Sequence, residues 1–144
     1  MFDESNDTAP LSFYFIAGVF LIWNFAGLML YYQQMTLTPE VLAALDPVKA
    51  AFMEATPKWA TAAYATAVTA GVTACVFLAL RKAWAVPAFM LSFAGVLIQD
   101  LDSFVIRDVV AVWGSDAYIV PPLVIVIALV EIWYSRSVAD RYYR

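Results

Sequence analysis

The sequence predicts an all-α, integral membrane four-helix bundle, and three observations carry that reading. Of 144 residues, 64% are hydrophobic and 14% charged, with a mean hydropathy of +0.77. A soluble domain has about 45–50% apolar and about 25% charged residues, so an ordinary water-soluble enzyme is excluded. Four separate windows are each long and apolar enough to cross a hydrocarbon core, which needs about 20 residues. Between the second and third lie only Arg81, Lys82 and Ala83, which forces an antiparallel helical hairpin.

The windows run near 11–32, 59–80, 84–106 and 118–135, and together with their connections make one transmembrane domain over 1–144. The first is expected to remain in the mature chain rather than act as a cleavable signal peptide, because its leader carries Asp3, Glu4 and Asp7 rather than basic residues and the apolar run is too long. Both termini are expected on the cytoplasmic side. That orientation places Arg81, Lys82, Arg136, Arg141 and Arg144 inside and Lys49, Lys58 and Arg107 outside, five cations against three. Tyr31, Tyr32, Trp59, Trp84, Trp113, Tyr118, Trp133 and Tyr134 then fall at the headgroup levels.

The connection 33–58 is read as the only long one and as an extracytoplasmic cap. Thr38-Pro39, Asp46-Pro47 and Thr56-Pro57 each set a capping side chain before a proline suited to a first helical turn. The apolar Val41, Leu42, Leu45, Val48, Phe52 and Met53 alternate with Glu40, Lys49 and Glu54, which suits short helices on a membrane surface.

Within the second span, Ala63, Ala67 and Gly71 repeat every fourth residue and form a smooth packing face. Thr61, Thr66, Thr69 and Thr73 are expected to return their hydroxyls to carbonyls of their own helix. In the third span, Ser92, Gly95, Gln99, Asp102 and Ser103 recur at helical spacing as a polar stripe. Asn24 and Gln99 lie at a similar depth, about 20 Å from the cytoplasmic boundary at about 1.5 Å per residue, and a direct or water-mediated contact between them is expected. With Asp100 and Asp102 they form the candidate polar binding site, while Arg107 is a candidate ion-pair partner at its rim.

Glu131 in the fourth span is placed roughly 6 Å from the cytoplasmic boundary. It is expected to snorkel to the cytoplasmic headgroups, to pair with Arg81 or Lys82 at the neighbouring hairpin, or to stay protonated in a packed site, with pairing favoured.

The chain has no His and one Cys, Cys75. A His-ligated haem or zinc, a Ser-His-Asp triad and an internal disulfide are therefore excluded. No catalytic residue, cofactor or metal is expected. A net charge of −4 with no basic patch excludes nucleic acid as a partner.

Trp23-Asn24-Phe25-Ala26-Gly27, Met35-Thr36-Leu37-Thr38-Pro39-Glu40, Pro57-Lys58-Trp59-Ala60, Leu80-Arg81-Lys82-Ala83-Trp84-Ala85 and Leu91-Ser92-Phe93-Ala94-Gly95-Val96 resemble a group of small bacterial four-helix membrane proteins. Members are often labelled sugar transporters and are distantly DoxX-like. The resemblance implies a bacterial inner membrane location and sugar transport. A His often precedes the Ser-Phe pair in that group, where this chain has Asp102-Ser103-Phe104.

Two functional expectations follow. The first is a non-catalytic accessory or interaction subunit, embedded in membrane lipids and packed against a larger membrane complex or its own copies. The second is a small-solute carrier using Asn24, Gln99, Asp100 and Asp102.

Overall fold

The computed structural model describes residues 8–144, so the acidic leader with Asp3, Glu4 and Asp7 lies outside the described residues. The described residues are helical, with four helices long and apolar enough to cross a membrane. These are α1 (Leu11–Met35), α4 (Lys58–Ala79), α5 (Ala85–Asp100) continued by a π-helical turn (Leu101–Ile106), and α7 (Val120–Ser137). At about 1.5 Å per residue, helices of 18 to 25 residues cover about 27–38 Å.

Two short helices, α2 (Pro39–Ala43) and α3 (Pro47–Glu54), link α1 to α4. Their starts are those that the Thr-Pro and Asp-Pro pairs dictate. Thr38 accepts from the Val41 amide at 3.4 Å, and Asp46 from the amides of Val48 at 2.9 Å and Lys49 at 3.3 Å. Hydrogen bonds from its own backbone amide and from Thr38 hold the exposed Glu40 carboxyl below its usual range.

Helix α4 is central. Buried residues make up 39% of its apolar window, against 17–22% in the other three. The reason is its small-residue composition: Ala60, Ala63, Ala67, Ala70, Gly71 and Ala74 are buried and let α1 and α5 approach on two sides. Gly95 of α5 rests on α4 so closely that a Cβ would lie 2.7 Å from the Ala63 carbonyl oxygen and 2.9 Å from the Ala67 nitrogen. Thr66, Thr69 and Thr73 spend their hydroxyls on the carbonyls of Ala62, Ala65 and Thr69 at 2.6–2.8 Å. Helix α7 packs on α5, and it meets α1 through long side chains such as Tyr134 against Phe13 and Phe20.

The turn after α4 closes as a Schellman motif. The Lys82 amide donates to the Phe77 carbonyl at 2.8 Å and the Arg81 amide to Leu78 at 2.9 Å, with Arg81 at φ 61°. Arg81 occupies the left-handed position that glycine usually takes, and compensating bonds hold it there. Its Nε donates to the Tyr142 carbonyl at 2.9 Å, and its own carbonyl accepts from the Arg144 amide at 2.8 Å. These bonds seat α8 (Ala139–Tyr142) and the C-terminal residues on the hairpin. Phe13, Cys75, Leu78, Ala85, Phe89 and Val138 form the apolar cluster at this end.

Outside these contacts the long helices are greasy. Leu11, Phe15, Ile22, Trp84, Val105 and Trp133 are each at least 67% exposed.

The connection 33–58 is not the only structured one. Residues 107–119 fold into α6 (Val109–Trp113) and a 3-10 turn (Gly114–Tyr118). Asp108 caps α6 from a left-handed conformation, accepting from the Ala111 amide at 3.3 Å, and Gly114 at φ 64° ends it.

Candidate functional site

The polar stripe on α5 divides into two parts. Its lower half is spent on packing: Ser92 donates to the Ala67 carbonyl at 2.7 Å, and Gly95 lies against the α4 backbone. Its upper half enters the π-helical turn, where the Arg107 amide reaches back five residues to the Asp102 carbonyl at 2.9 Å. Such a turn widens the helix and re-aims side chains, and it recurs at functional sites.

Asp102 is fully buried in this turn. Its Oδ2 accepts from Nε of Arg107 at 2.7 Å and pairs with Nη2 at 2.5 Å. Nη1 of the same arginine donates to the Phe52 carbonyl at 2.6 Å and to Thr56 Oγ1 at 3.1 Å, and its guanidinium lies 4.1 Å from the Phe52 ring centroid. Arg107 thereby ties α3 to the end of α5. Phe52 meets Trp113 of α6 edge-on at 5.2 Å, and Lys49 sits 5.8 Å from the Trp113 ring.

Beneath these contacts lies a cavity of about 510 Å³. Tyr64, Gln99, Asp100, Asp102, Phe104 and Trp113 are among its walls, which also include Arg107 and Asp116. Among the described residues, two buried side-chain oxygens have no hydrogen-bond partner, Oδ1 of Asp102 and Oδ2 of Asp100. Both residues line this cavity. Both oxygens are shut off from the cavity space itself, and buried acceptors without donors are costly, about 1–3 kcal/mol each.

A second cavity of about 250 Å³ runs between α1 and α7 over a floor of α4 and α5. Tyr64, Gln99, Asp100, Val120 and Pro121 line both cavities, so the two share a wall. At the far end of the second are Asn24 and Glu131. Asn24 Nδ2 donates to Glu131 Oε1 at 2.5 Å, to the Phe20 carbonyl at 2.9 Å and to Cys75 Sγ at 3.4 Å.

This arrangement corrects two expectations. Asn24 bonds directly to Glu131; of the direct or water-mediated contact expected with Gln99 the direct form is absent, and Gln99 lines the same cavity as Asn24. Glu131 does not pair with Arg81 or Lys82; it is 97% buried at the level of Asn24, well inside the bundle. Asn24 and Glu131 meet although counting from Leu11 and Ser135 sets them about 14 Å apart in depth, so those two helix ends do not lie at one level.

Of the candidate residues, the structure thus brings Gln99, Asp100, Asp102 and Arg107 to one cavity, and Asn24 and Glu131 to the end of its neighbour. Ala63, Ala67 and Gly71 are buried in α4, and Gly71 faces Asn24 and Ser92. Sequence reasoning missed Tyr64, Phe52 and Trp113 as cavity walls. Phe52 was legible only as an apolar residue on a short helix, and nothing in the sequence showed that α3 and α6 meet. Among the described residues, no three His, Cys, Asp or Glu groups converge as metal ligands.

No protein-family model, curated protein or solved structure matches this chain.

Proposed function

We propose that this chain is a multi-pass protein of the bacterial inner membrane that binds a small polar solute in the cavity between α5 and the short helices. In this reading both termini are cytoplasmic, the segments 33–58 and 107–119 cap the outer face, and the cavity opens outward beneath them. The role is binding and passage rather than catalysis. The observation that carries it is a cavity of about 510 Å³ whose mainly apolar wall includes Gln99, Asp100 and Arg107, since small-molecule sites are about 300–1,000 Å³ with few polar groups on apolar walls. The adjoining cavity that leads to Asn24 and Glu131 supports passage further into the bundle.

The full chain, reconstituted in nanodiscs, tests this reading when titrated calorimetrically with a panel of amines, polyols and carboxylic acids. Saturable binding of at least one solute, weakened by Gln99→Leu, is the expected result. Absence of saturable binding across the panel sinks the reading.

A second reading, a non-catalytic accessory subunit, draws on α1. Only Phe13 and Ala17 of its 25 residues are buried, so it offers the widest uncommitted apolar face for a larger complex or a further copy. A stoichiometric partner retained on purification in mild detergent would favour it.

A further inference from the structure

The inner cavity, between α1 and α7, differs from the outer one in what its polar groups leave open. Among the described residues, the Gln99 amide and the Tyr64 hydroxyl have no hydrogen-bond partner, and neither is shut off as the Asp100 and Asp102 oxygens are. Both residues stand on the wall shared with the outer cavity. Tyr31 packs edge-on against the Tyr64 ring at 5.1 Å. At the opposite end Asn24 and Glu131 answer each other.

Between these ends the wall is apolar, with Trp23, Leu30, Val68, Val96 and Val124. Helices α1 and α7 meet where Tyr134 touches Phe13 and Phe20, and the cavity lies where they part. Leu30 of α1 and Val120 of α7 are exposed beside it, so it opens on the apolar flank of the bundle. At about 250 Å³ it is smaller than a site that encloses a whole small molecule, about 300–1,000 Å³. Its occupant therefore lies partly outside, along the greasy surface of the long helices, and the volume admits one chain.

Charge narrows the class further. No Lys or Arg stands among the lining residues and two acids do, Asp100 and Glu131, so an anionic head is repelled. A cationic head would give up its water for a neutral amide and a phenol, because Asp100 Oδ2 is shut off and Glu131 is buried and bonded to Asn24. An uncharged head avoids both costs. A carbonyl only accepts, which answers the donors of Gln99 and Tyr64 and leaves the Gln99 oxygen without one. A hydroxyl donates and accepts, and answers both.

We infer that the inner cavity binds an uncharged single-chain lipid with a hydroxylated head, of the monoacylglycerol class. The head hydrogen-bonds with Gln99 and Tyr64, and the chain runs between α1 and α7 past Trp23 and Val124. Its polar end then points toward the short helices and its chain toward mid-bundle, as in a lipid of the outer leaflet. The inference rests on the membrane placement proposed above and not on solute binding in the outer cavity.

The full chain in phosphatidylcholine nanodiscs, irradiated with a monoacylglycerol that carries a diazirine in its acyl chain, tests the inference. Cross-links are expected within 23–30 and 120–128. Unlabelled monooleoylglycerol should displace them at least tenfold more effectively than lysophosphatidylglycerol, oleyltrimethylammonium or methyl oleate, which are anionic, cationic and without a hydroxyl. Gln99→Leu and Tyr64→Phe should each lower the displaceable labelling at least fivefold while unfolding at the parent's temperature; if Gln99→Leu does not fold, Tyr64→Phe decides. Labelling that monooleoylglycerol does not displace, equal displacement by any of the other three, or undiminished labelling in a folded variant overturns the inference and leaves the membrane placement standing. A chain that does not enter the nanodiscs brings down the placement and the inference together.

Discussion

Asn24 of α1 holds the Glu131 carboxylate of α7 across the groove between the two helices at 2.5 Å, while its amide oxygen lies against Gly71 of α4. One side chain thus registers three helices at mid-bundle. Asn24→Leu removes the donor and leaves a buried carboxylate oxygen without it. Interhelical polar pairs in bundles of this kind contribute about 0.6–2 kcal/mol, and stranding the acceptor adds about 1–3 kcal/mol. Thermal unfolding in detergent should show Asn24→Leu well below the parent. The Asn24→Leu/Glu131→Leu double variant should be more stable than the sum of the singles predicts; strict additivity would mean the two residues are uncoupled.

The glycines of the bundle should separate sharply on substitution by alanine. At Gly95 the new methyl would collide with α4 backbone, 2.7 Å from the Ala63 oxygen, and backbone yields only by moving the helix. Overpacking of this kind costs about 1–3 kcal/mol. A Cβ at Gly27 would meet Val68 Cγ1 at 3.7 Å, and one at Gly18 would meet nothing within 4 Å. Those two variants should be neutral or gain up to about 1 kcal/mol from helix propensity. Equal melting temperatures for Gly18→Ala and Gly95→Ala would contradict the α4–α5 packing.

How much of this was legible in the sequence depends on the range of the interaction involved. The long helices, the tight hairpin and the starts of α2 and α3 follow from local composition and from Thr38-Pro39 and Asp46-Pro47, and each was readable to within three residues at the helix ends. The pairing of Asn24 was not. Counting depth along each helix takes the ends at Leu11 and Ser135 to be level, and the Asn24–Glu131 bond shows that they are not. The cavity walls were hidden for another reason. Arg107 was recognised as an ion-pair residue for the acids, yet its hold on Phe52 and Thr56 depends on a π-helical turn that no pattern in Leu101–Ile106 announces.

Arg107 should be the residue whose loss loosens the short helices. Arg107→Leu removes the bonds to Asp102, Phe52 and Thr56 together. It also leaves a fully buried carboxylate unpaired, which costs about 3–5 kcal/mol when one partner of a buried pair is removed. Hydrogen exchange over 47–56 should accelerate strongly in this variant while α4 stays protected. Arg107→Lys should recover part of the loss, because a single ammonium cannot reproduce the forked contact. Unchanged exchange over 47–56 would show that α3 is held by other contacts.

The C-terminal segment should respond to alkaline pH through Tyr143. Its hydroxyl hydrogen-bonds with Ser135 of α7, and burial raises its pKa above the usual 10.0, an effect the Ser135 bond partly opposes and the neighbouring Tyr134 reinforces. The folded state therefore favours the neutral phenol. That contribution is fully present below the unfolded value near 10 and is lost as pH rises through the raised folded value. Tyr143→Phe keeps the ring and loses the hydroxyl bond, so it should be less stable than the parent by about 1 kcal/mol at neutral pH. As pH rises beyond about 10 the difference should shrink, because the parent must hold a phenol that ionises in the unfolded chain. A melting-temperature gap between parent and variant that stays constant from about pH 8 to about pH 11 would mean that the phenol titrates as it does in water.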